Sequence, residues 1–409
     1  MNVMKLLVQK YGGSSLSDSN KISKIAKQIG AKVKNGFSIL AVVSAMGNTT
    51  DHLISLAKEV SDQPQAREMD LLLSTGEMVS CTLMAMALRT AGYNAIALTG
   101  AQAGIQTNTT HGKALISSID TTRIKKELEN GNVVIVAGFQ GVTEELDITT
   151  LGRGGSDTTA VALAAAMKAE ICEIYTDVDG IYTANPKLVP NAIKLSEVGY
   201  EEMLEMANYG AKMHPRSIEL GMLYNVPILV TSAFGNSDGT LIHEGVVNNM
   251  EMANKVTGIA VDTNVSKITV LGIIDRPGIA ASVFEPLAEV GISVDVIVQN
   301  ASVKGTTDLT FTVSNDDLSK GVNVITKIKD DIGASSITSS TNLSKISIVG
   351  TGIQNAPGIA AQMFRTLFEE NVNIEMITTS EIRITCIVDK DKAQNAAHAL
   401  HSAFQLENQ

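Results

Sequence analysis

Basic residues are in the minority, with 32 Lys and Arg against 43 Asp and Glu, a formal charge of −11 over 409 residues. That sign disfavours nucleic acid or an anionic membrane as the main partner, because both are held by a basic face. Cysteine is scarce. Cys81, Cys172 and Cys386 stand far apart in apolar segments, so no disulfide framework is expected and each is predicted to be a buried free thiol of a reducing, cytoplasmic compartment. The six histidines form no ligand cluster, so no metal site is predicted from the protein's own residues. His398 and His401, three apart on a predicted last helix, are expected on a solvated face. The apolar run within Met1–Lys10 is too short for a signal peptide, and the uncharged stretch from Thr90 to Gly112 is broken by Gly, Asn and Thr, which argues against a bilayer span.

What is present is the balance of a globular enzyme, 44% hydrophobic and 18% charged residues without a low-complexity tract. At ~150 residues per domain the chain holds two or three domains. Its most informative stretch is Leu151-Gly-Arg-Gly-Gly-Ser-Asp157, which sets two charges among three glycines and opens the apolar helix that follows. Unsatisfied amides and the positive dipole end at such a helix start favour an anion, and Arg153 adds a bidentate fork.

Three other segments have the same character. The predicted strand Val3–Gln9 breaks at Lys10-Tyr-Gly-Gly-Ser-Ser15. This is neither a P-loop nor a dinucleotide fingerprint, since the lysine precedes the glycines, and Lys10 could be a phosphate ligand or simply solvated. Strand Ser38–Val43 runs into Ser44-Ala-Met-Gly-Asn-Thr-Thr50, and ligands gather at the carboxyl ends of parallel strands. Glu77 stands in the apolar middle of a helix predicted over Arg67–Thr90, where a buried carboxylate needs a partner or a ligand unless it faces solvent.

Further strands are predicted over Ala95–Thr99, Val133–Phe139, Ile171–Tyr175 and Pro227–Thr231, with helices around Ser196–Asn208 and Pro215–Tyr224. The region Gly104–Gly112 is expected as irregular loop or hairpin. Alternating strands and helices imply an α/β sandwich. Asp177 and Asp179 lack the remaining oxygen ligands of a calcium loop. The remainder of the chain repeats itself. Lys267–Ala281 returns as Lys345–Ala361, and Pro277 and Pro357, Phe284 and Phe364, Asp295 and Glu375 are each eighty positions apart. Each copy follows the split βαβ plan of ferredoxin-like modules, and two copies are expected to pair sheet edge to sheet edge. A strand over Val256–Val261 is placed to complete the second copy.

Together Lys10-Tyr-Gly-Gly-Ser-Ser15, Ser44-Ala-Met-Gly47, Gly76-Glu77, Gly152–Asp157, Thr176-Asp-Val-Asp-Gly-Ile-Tyr182 and the paired Pro-Gly repeats resemble the aspartate kinase family over essentially the whole chain. The resemblance implies an amino-acid kinase αβα sandwich over residues 1–245, a linker and strand over 246–264, and two βαββαβ ACT domains over 265–340 and 341–409. It implies transfer of the γ-phosphoryl group of ATP, carried with Mg²⁺, to the side-chain carboxylate of L-aspartate. The alternatives are a kinase of another small carboxylate or a non-catalytic amino-acid sensor.

By that resemblance Lys10 with Gly12, Gly13 and Ser14 holds the transferring phosphoryl group, Tyr11 counts with them as nucleotide-binding, and Asp157 organises Lys10. Arg153 grips the α-carboxylate, Glu77 takes the amino group, and Ser44, Thr49 or Thr50 and Gly154, Gly155 and Ser156 lie nearby. Thr176, Asp177, Tyr182, Lys187 and Lys212 fall on the nucleotide side. There Ala184-Asn-Pro-Lys187 and Gly210–Arg216 depart from the family's usual form. Regulatory lysine, threonine or both would contact Asp275, Arg276, Pro277, Gly278, Ile279, Ala280, Gln299, Asn373 and Ile374. A homodimer or higher oligomer through the ACT domains is implied, and Met250 is a candidate internal start for a separate regulatory chain.

Overall fold

The structure, a computed structural model, describes residues 5–208, 213–235, 237–245, 255–300, 305–354 and 356–408. Lys212 and Met250 lie outside these. The chain forms two compact units, Met1–Ile181 with Lys194–Met252, and Tyr182–Ile193 with Ala253–Gln409.

The first unit is built on an eight-stranded sheet. Its order is Glu197–Gly199, Thr240–His243, Ile228–Ser232, Ile171–Thr176, Leu6–Tyr11, Ser38–Val43, Val133–Ala137 and Ala95–Leu98. All neighbours are parallel except Ile228–Ser232 against Thr240–His243. Leu6–Tyr11 and Val133–Ala137 are buried at every position, as inner strands covered on both faces must be. On one face, helix Ser19–Lys34 presents Ile22, Ile25, Ala26 and Ile29 at helical spacing, and its start is capped by Asp18, which accepts from the Lys21 amide at 2.9 Å. Helix Ala66–Thr90 adds Cys81, Met84 and Leu88 to the same core. The opposite face carries helix Gly155–Met167, buried almost throughout its first three turns. The αβα sandwich is therefore present.

Ala66–Thr90 is long and apolar enough to cross a membrane by length and composition. Its buried face nevertheless carries Asp70, Ser74, Glu77 and Ser80, all engaged inside the first unit, which makes it a core helix. The region expected as loop or hairpin is a hairpin, Ile105–Thr107 pairing antiparallel with Ile116–Ile119 in a second, four-stranded sheet with Gln140–Val142 and Ile148–Thr150. One expectation changes locally. The helix expected from Ser196 begins at Tyr200, because Glu197–Gly199 pairs with Leu241–His243 at the sheet edge.

The second unit holds both repeats on one six-stranded antiparallel sheet, in the order Ile297–Gln299, Thr306–Val313, Gly258–Ile274, Ser336–Val349, Arg383–Asp389 and Ile374–Ser380. The two long inner strands are shared. Gly258–Asp262 pairs with Lys345–Val349 of the second copy, while Lys267–Leu271 pairs with Ser336–Ser340 of the first. The segment ahead of the first copy thus completes the second, and helices Ile279–Glu289, Leu318–Lys327, Ile359–Glu369 and Ala393–Ala403 complete two ferredoxin-like layers.

Residues 182–193 group with this unit rather than with an uninterrupted 1–245 stretch, because Ala184 and Val189 are buried in the second repeat's core. The same excursion corrects the reading of His401. It is 1% exposed, with Nε2 2.8 Å from the Thr183 hydroxyl, whereas His398 is exposed. The three cysteines are free and buried, and burial pushes the Cys81 thiol up to about 12.

Candidate active site

The carboxyl ends of the central strands converge on one cleft. Leu6–Tyr11 lies between Ser38–Val43 and Ile171–Thr176, so the loops leaving the first two strands emerge side by side. Lys10, the penultimate residue of the first strand, points to the face covered by helix Gly155–Met167, and its Nζ lies 2.6 Å from Asp157 Oδ1. Asp157 sits in the first turn of that helix, where the dipole favours a carboxylate. The loop after Lys10 is pressed onto the loop after Val43. Gly47 N donates to Gly13 O at 3.0 Å, and a Cβ on Gly13 would stand 2.6 Å from the Ala45 carbonyl, so only glycine fits.

On the other side of the cleft Glu77 Oε1 accepts from the Ala45 amide at 3.0 Å. Glu77 Oε2 is buried with no partner among the described residues. Burial pushes this carboxyl up to about 7, with the Ala45 hydrogen bond opposing the shift. Arg153 is exposed and makes no hydrogen bond or ion pair among the described residues, so its guanidinium is available to a ligand. The turn that carries it bends through Gly154, at φ 71°, where a Cβ would lie 2.3 Å from the His214 ring. A void of about 240 Å³ is lined by Lys10, Gly13, Ser44, Thr50, Glu77, Arg153, Gly154, Gly155, Ser156 and Asp157, together with Ala45, Gly47, Phe139 and Gly152. The cleft thus holds a neutralised lysine–aspartate pair, a free guanidinium and a buried carboxylate seeking a donor.

Other expected residues stand elsewhere. Tyr11, expected among the nucleotide-binding residues, is 1% exposed and stacks on Tyr175 with ring centroids 4.8 Å apart, so its ring is committed to packing. Gly12 borders Lys10, with its amide on Tyr175 O at 3.3 Å, and Ser14 is exposed on the following turn. Thr49 donates to Met46 O at 2.6 Å and so closes its own turn. Thr176 ends its strand and donates to Asp177 Oδ1 at 3.1 Å. Tyr182 and Lys187 belong to the excursion in the second unit, where Lys187 is exposed.

Among the expected effector contacts, Asp275, Arg276, Pro277 and Gly278 form an exposed turn and Ala280 is half-buried. Ile279 is 3% exposed in the first repeat's core, so its side chain is committed to packing, not to a ligand. Gln299 and Asn373 are exposed and Ile374 half-buried, on or beside opposite edge strands.

Sequence reasoning missed the scaffold under Arg153. Arg216 donates to the carbonyls of Leu151 at 2.9 Å and Ala114 at 2.8 Å. Asp70, 1% exposed, accepts from the Gly112 amide at 3.0 Å and contacts His111 Nδ1 at 2.8 Å and the Thr150 hydroxyl. His-Pro-Arg216 was visible as a motif, but its hydrogen-bond partners were not.

Residues 5–232 match the amino acid kinase family, and residues 268–328 and 346–404 match the ACT domain. The aspartokinase of Corynebacterium glutamicum is 47% identical over 408 residues, covering 98% of this chain and 97% of that protein. The structure of E. coli aspartokinase III in complex with aspartate and ADP superposes with a TM-score of 0.83 at 24% identity, covering 97% of this chain and 99% of that one. The same enzyme in complex with lysine and aspartate gives 0.74 at 25% identity, over 98% and 99%. The chain belongs to the amino acid kinase family with C-terminal ACT domains, and within it to the aspartokinases, which are phosphotransferases.

Proposed function

We propose that the protein transfers the γ-phosphoryl group of ATP to the side-chain carboxylate of L-aspartate, giving 4-phospho-L-aspartate and ADP, under feedback by lysine, threonine or both. The observation that carries this is the cleft itself, in which the Lys10–Asp157 pair faces the free Arg153 and the partnerless oxygen of Glu77. The nucleophile is a carboxylate already ionised near neutral pH, so the site needs no strong base. A carboxylate oxygen forms the new bond to the γ-phosphorus as the bond to the bridging oxygen breaks, and ADP leaves with that electron pair. Lys10 neutralises charge on the transferring group, held in place by Asp157. Arg153 takes the α-carboxylate through a bidentate, charge-assisted fork, and Glu77 takes the ammonium group, which places the side-chain carboxylate towards Lys10. The cleft's carboxylates are committed within the site, Asp157 to Lys10 and Glu77 to the Ala45 amide and the substrate ammonium, so Mg²⁺ would ride on the ATP phosphates themselves and would shield their oxygens there.

Steady-state kinetics of Arg153→Ala test the assignment. Loss of the fork raises the KM for aspartate by on the order of tenfold or more, with the KM for ATP within about twofold. An unchanged KM for aspartate with a collapsed dependence on ATP would overturn it.

A further inference from the structure

Arg216 is the second residue of helix Pro215–Tyr224 and is half-buried. Among the described residues it makes no ion pair. Both of its hydrogen bonds go to main-chain carbonyls, Nη1 to Leu151 at 2.9 Å and Nη2 to Ala114 at 2.8 Å. Those carbonyls belong to two chain segments already laced together, since the Ala114 amide donates to Thr150 O at 2.9 Å. Leu151 in turn donates its amide to Phe139 O at 2.8 Å, so the residue is tied at both ends. Two positions further on stands Arg153. Next to it Gly154 rests on the ring of His214, close enough that a Cβ would be 2.3 Å from that ring. Helix Pro215–Tyr224 and the residue before it therefore floor the turn that presents Arg153. Arg153 itself has no protein partner among the described residues, and its aim depends on the backbone beneath it.

We propose that Arg216 is a positioning residue for aspartate recognition: its fork across the Leu151 and Ala114 carbonyls fixes the turn from which Arg153 meets the substrate α-carboxylate. This rests on the assignment of Arg153 made above. A guanidinium suits the task because its planar, divergent donors reach two carbonyls with one fixed geometry, whereas an ammonium is a point charge on a flexible stem. The consequence is selective. Loosening the turn harms the aspartate half of the cleft, and the Lys10–Asp157 pair, held by the first strand and the helix that follows the turn, keeps its geometry. A displacement of Arg153 by about 1 Å is enough to cost a large factor in productive binding.

The test is a double-mutant cycle on the full-length protein, with Arg216→Lys and Arg216→Gln each made in the wild type and in Arg153→Ala, and with KM for aspartate and for ATP measured throughout. The expected result is a rise of about tenfold in the KM for aspartate for Arg216→Gln and a smaller rise for Arg216→Lys, with the KM for ATP within about twofold. In the Arg153→Ala background both Arg216 substitutions change the aspartate KM by less than about twofold, because the group they position is gone. Equal effects in the two backgrounds, a parallel rise in both KM values, or no change in either overturn the proposal. So does failure of both Arg216 variants to fold, which assigns the residue to stability alone. If Arg153→Ala itself leaves the aspartate KM unchanged, the assignment of Arg153 falls and this proposal with it. If Arg153→Ala raises it and the Arg216 variants do not, only the role of Arg216 falls.

Discussion

Glu77 shows how a single side chain couples burial to function. Its carboxyl is held up to about 7 by desolvation, against an ordinary value of 4.5, so in the free protein it is protonated over much of the acidic range. An ammonium ligand favours the anion. Aspartate binding therefore releases a proton from Glu77, and the KM for aspartate falls as pH rises through about 7. Stability runs the other way. Between about 4.5 and about 7 the unfolded chain loses this proton before the folded one, so the contribution of Glu77 to stability declines as pH rises across that window and is constant above it. Glu77→Gln keeps the acceptor for the Ala45 amide and removes the charge. It raises the KM for aspartate by on the order of tenfold and flattens its pH dependence; a pH profile identical to that of the wild type would refute the role.

Glu77, Lys10 and Arg153 stand out in the sequence because each is a charge set among glycines or apolar residues, and it is the cleft that decides against a solvated face for Glu77 and Lys10. Arg216 is not legible. Its partners are carbonyls 65 and 102 positions away, and a carbonyl carries no residue identity.

At the scale of elements, the strand–loop–helix order of the first unit follows from apolar runs ended by glycine, and the expected strands over 38–43, 133–139 and 171–175 stand within a residue or two of their observed bounds. Strands of three residues leave too little periodicity to read, which is why the sequence leaves loop and hairpin both open around Ile105–Thr107, where the structure has a hairpin. The two long strands of the second unit show a different limit. Alternation runs on through Gly258–Ile274, and only the pairing shows where one repeat's share ends and the other's begins. The turn Asp275–Gly278, exposed ahead of helix Ile279–Glu289, is the element best placed to meet an effector in the first repeat. Activity titrated with lysine, threonine and the pair falls in the wild type, and Asp275→Ala raises the half-inhibitory concentration by about tenfold or more by removing a charge available to an ammonium group. Flat titrations of the wild type would leave the repeats as an assembly module, and an unshifted Asp275→Ala curve would move the effector site elsewhere.

The two repeats are also tied to each other by exchanged charges. Lys345 of the second copy is paired with Asp295 of the first, and Lys267 of the first copy lies 2.7 Å from Glu375 of the second. Lys267 and Lys345 hold equivalent places inside the two long strands, and Asp295 and Glu375 are equivalent acids, so each copy's acid reaches the other copy's lysine. Beside them Val265, Val296, Leu343, Met376 and Ile387 form a small apolar core of their own. This reciprocity makes the second unit one body on a shared sheet. Into that body the chain inserts residues 182–193, leaving the first unit at Ile181 and returning at Lys194. The sequence showed the repeat but not the insertion, because Ala184 and Val189 resemble any short apolar loop until the core that receives them is formed.

For the molecule as a whole, the account stands on the product being an acyl phosphate of aspartate. Incubation with ATP, Mg²⁺, aspartate and hydroxylamine traps such a product as aspartyl hydroxamate, and a panel of other small carboxylates in place of aspartate measures selectivity. The account predicts hydroxamate formed with aspartate well above every other acceptor. No hydroxamate under conditions in which a known aspartokinase forms it, or equal yields across the panel, would contradict it.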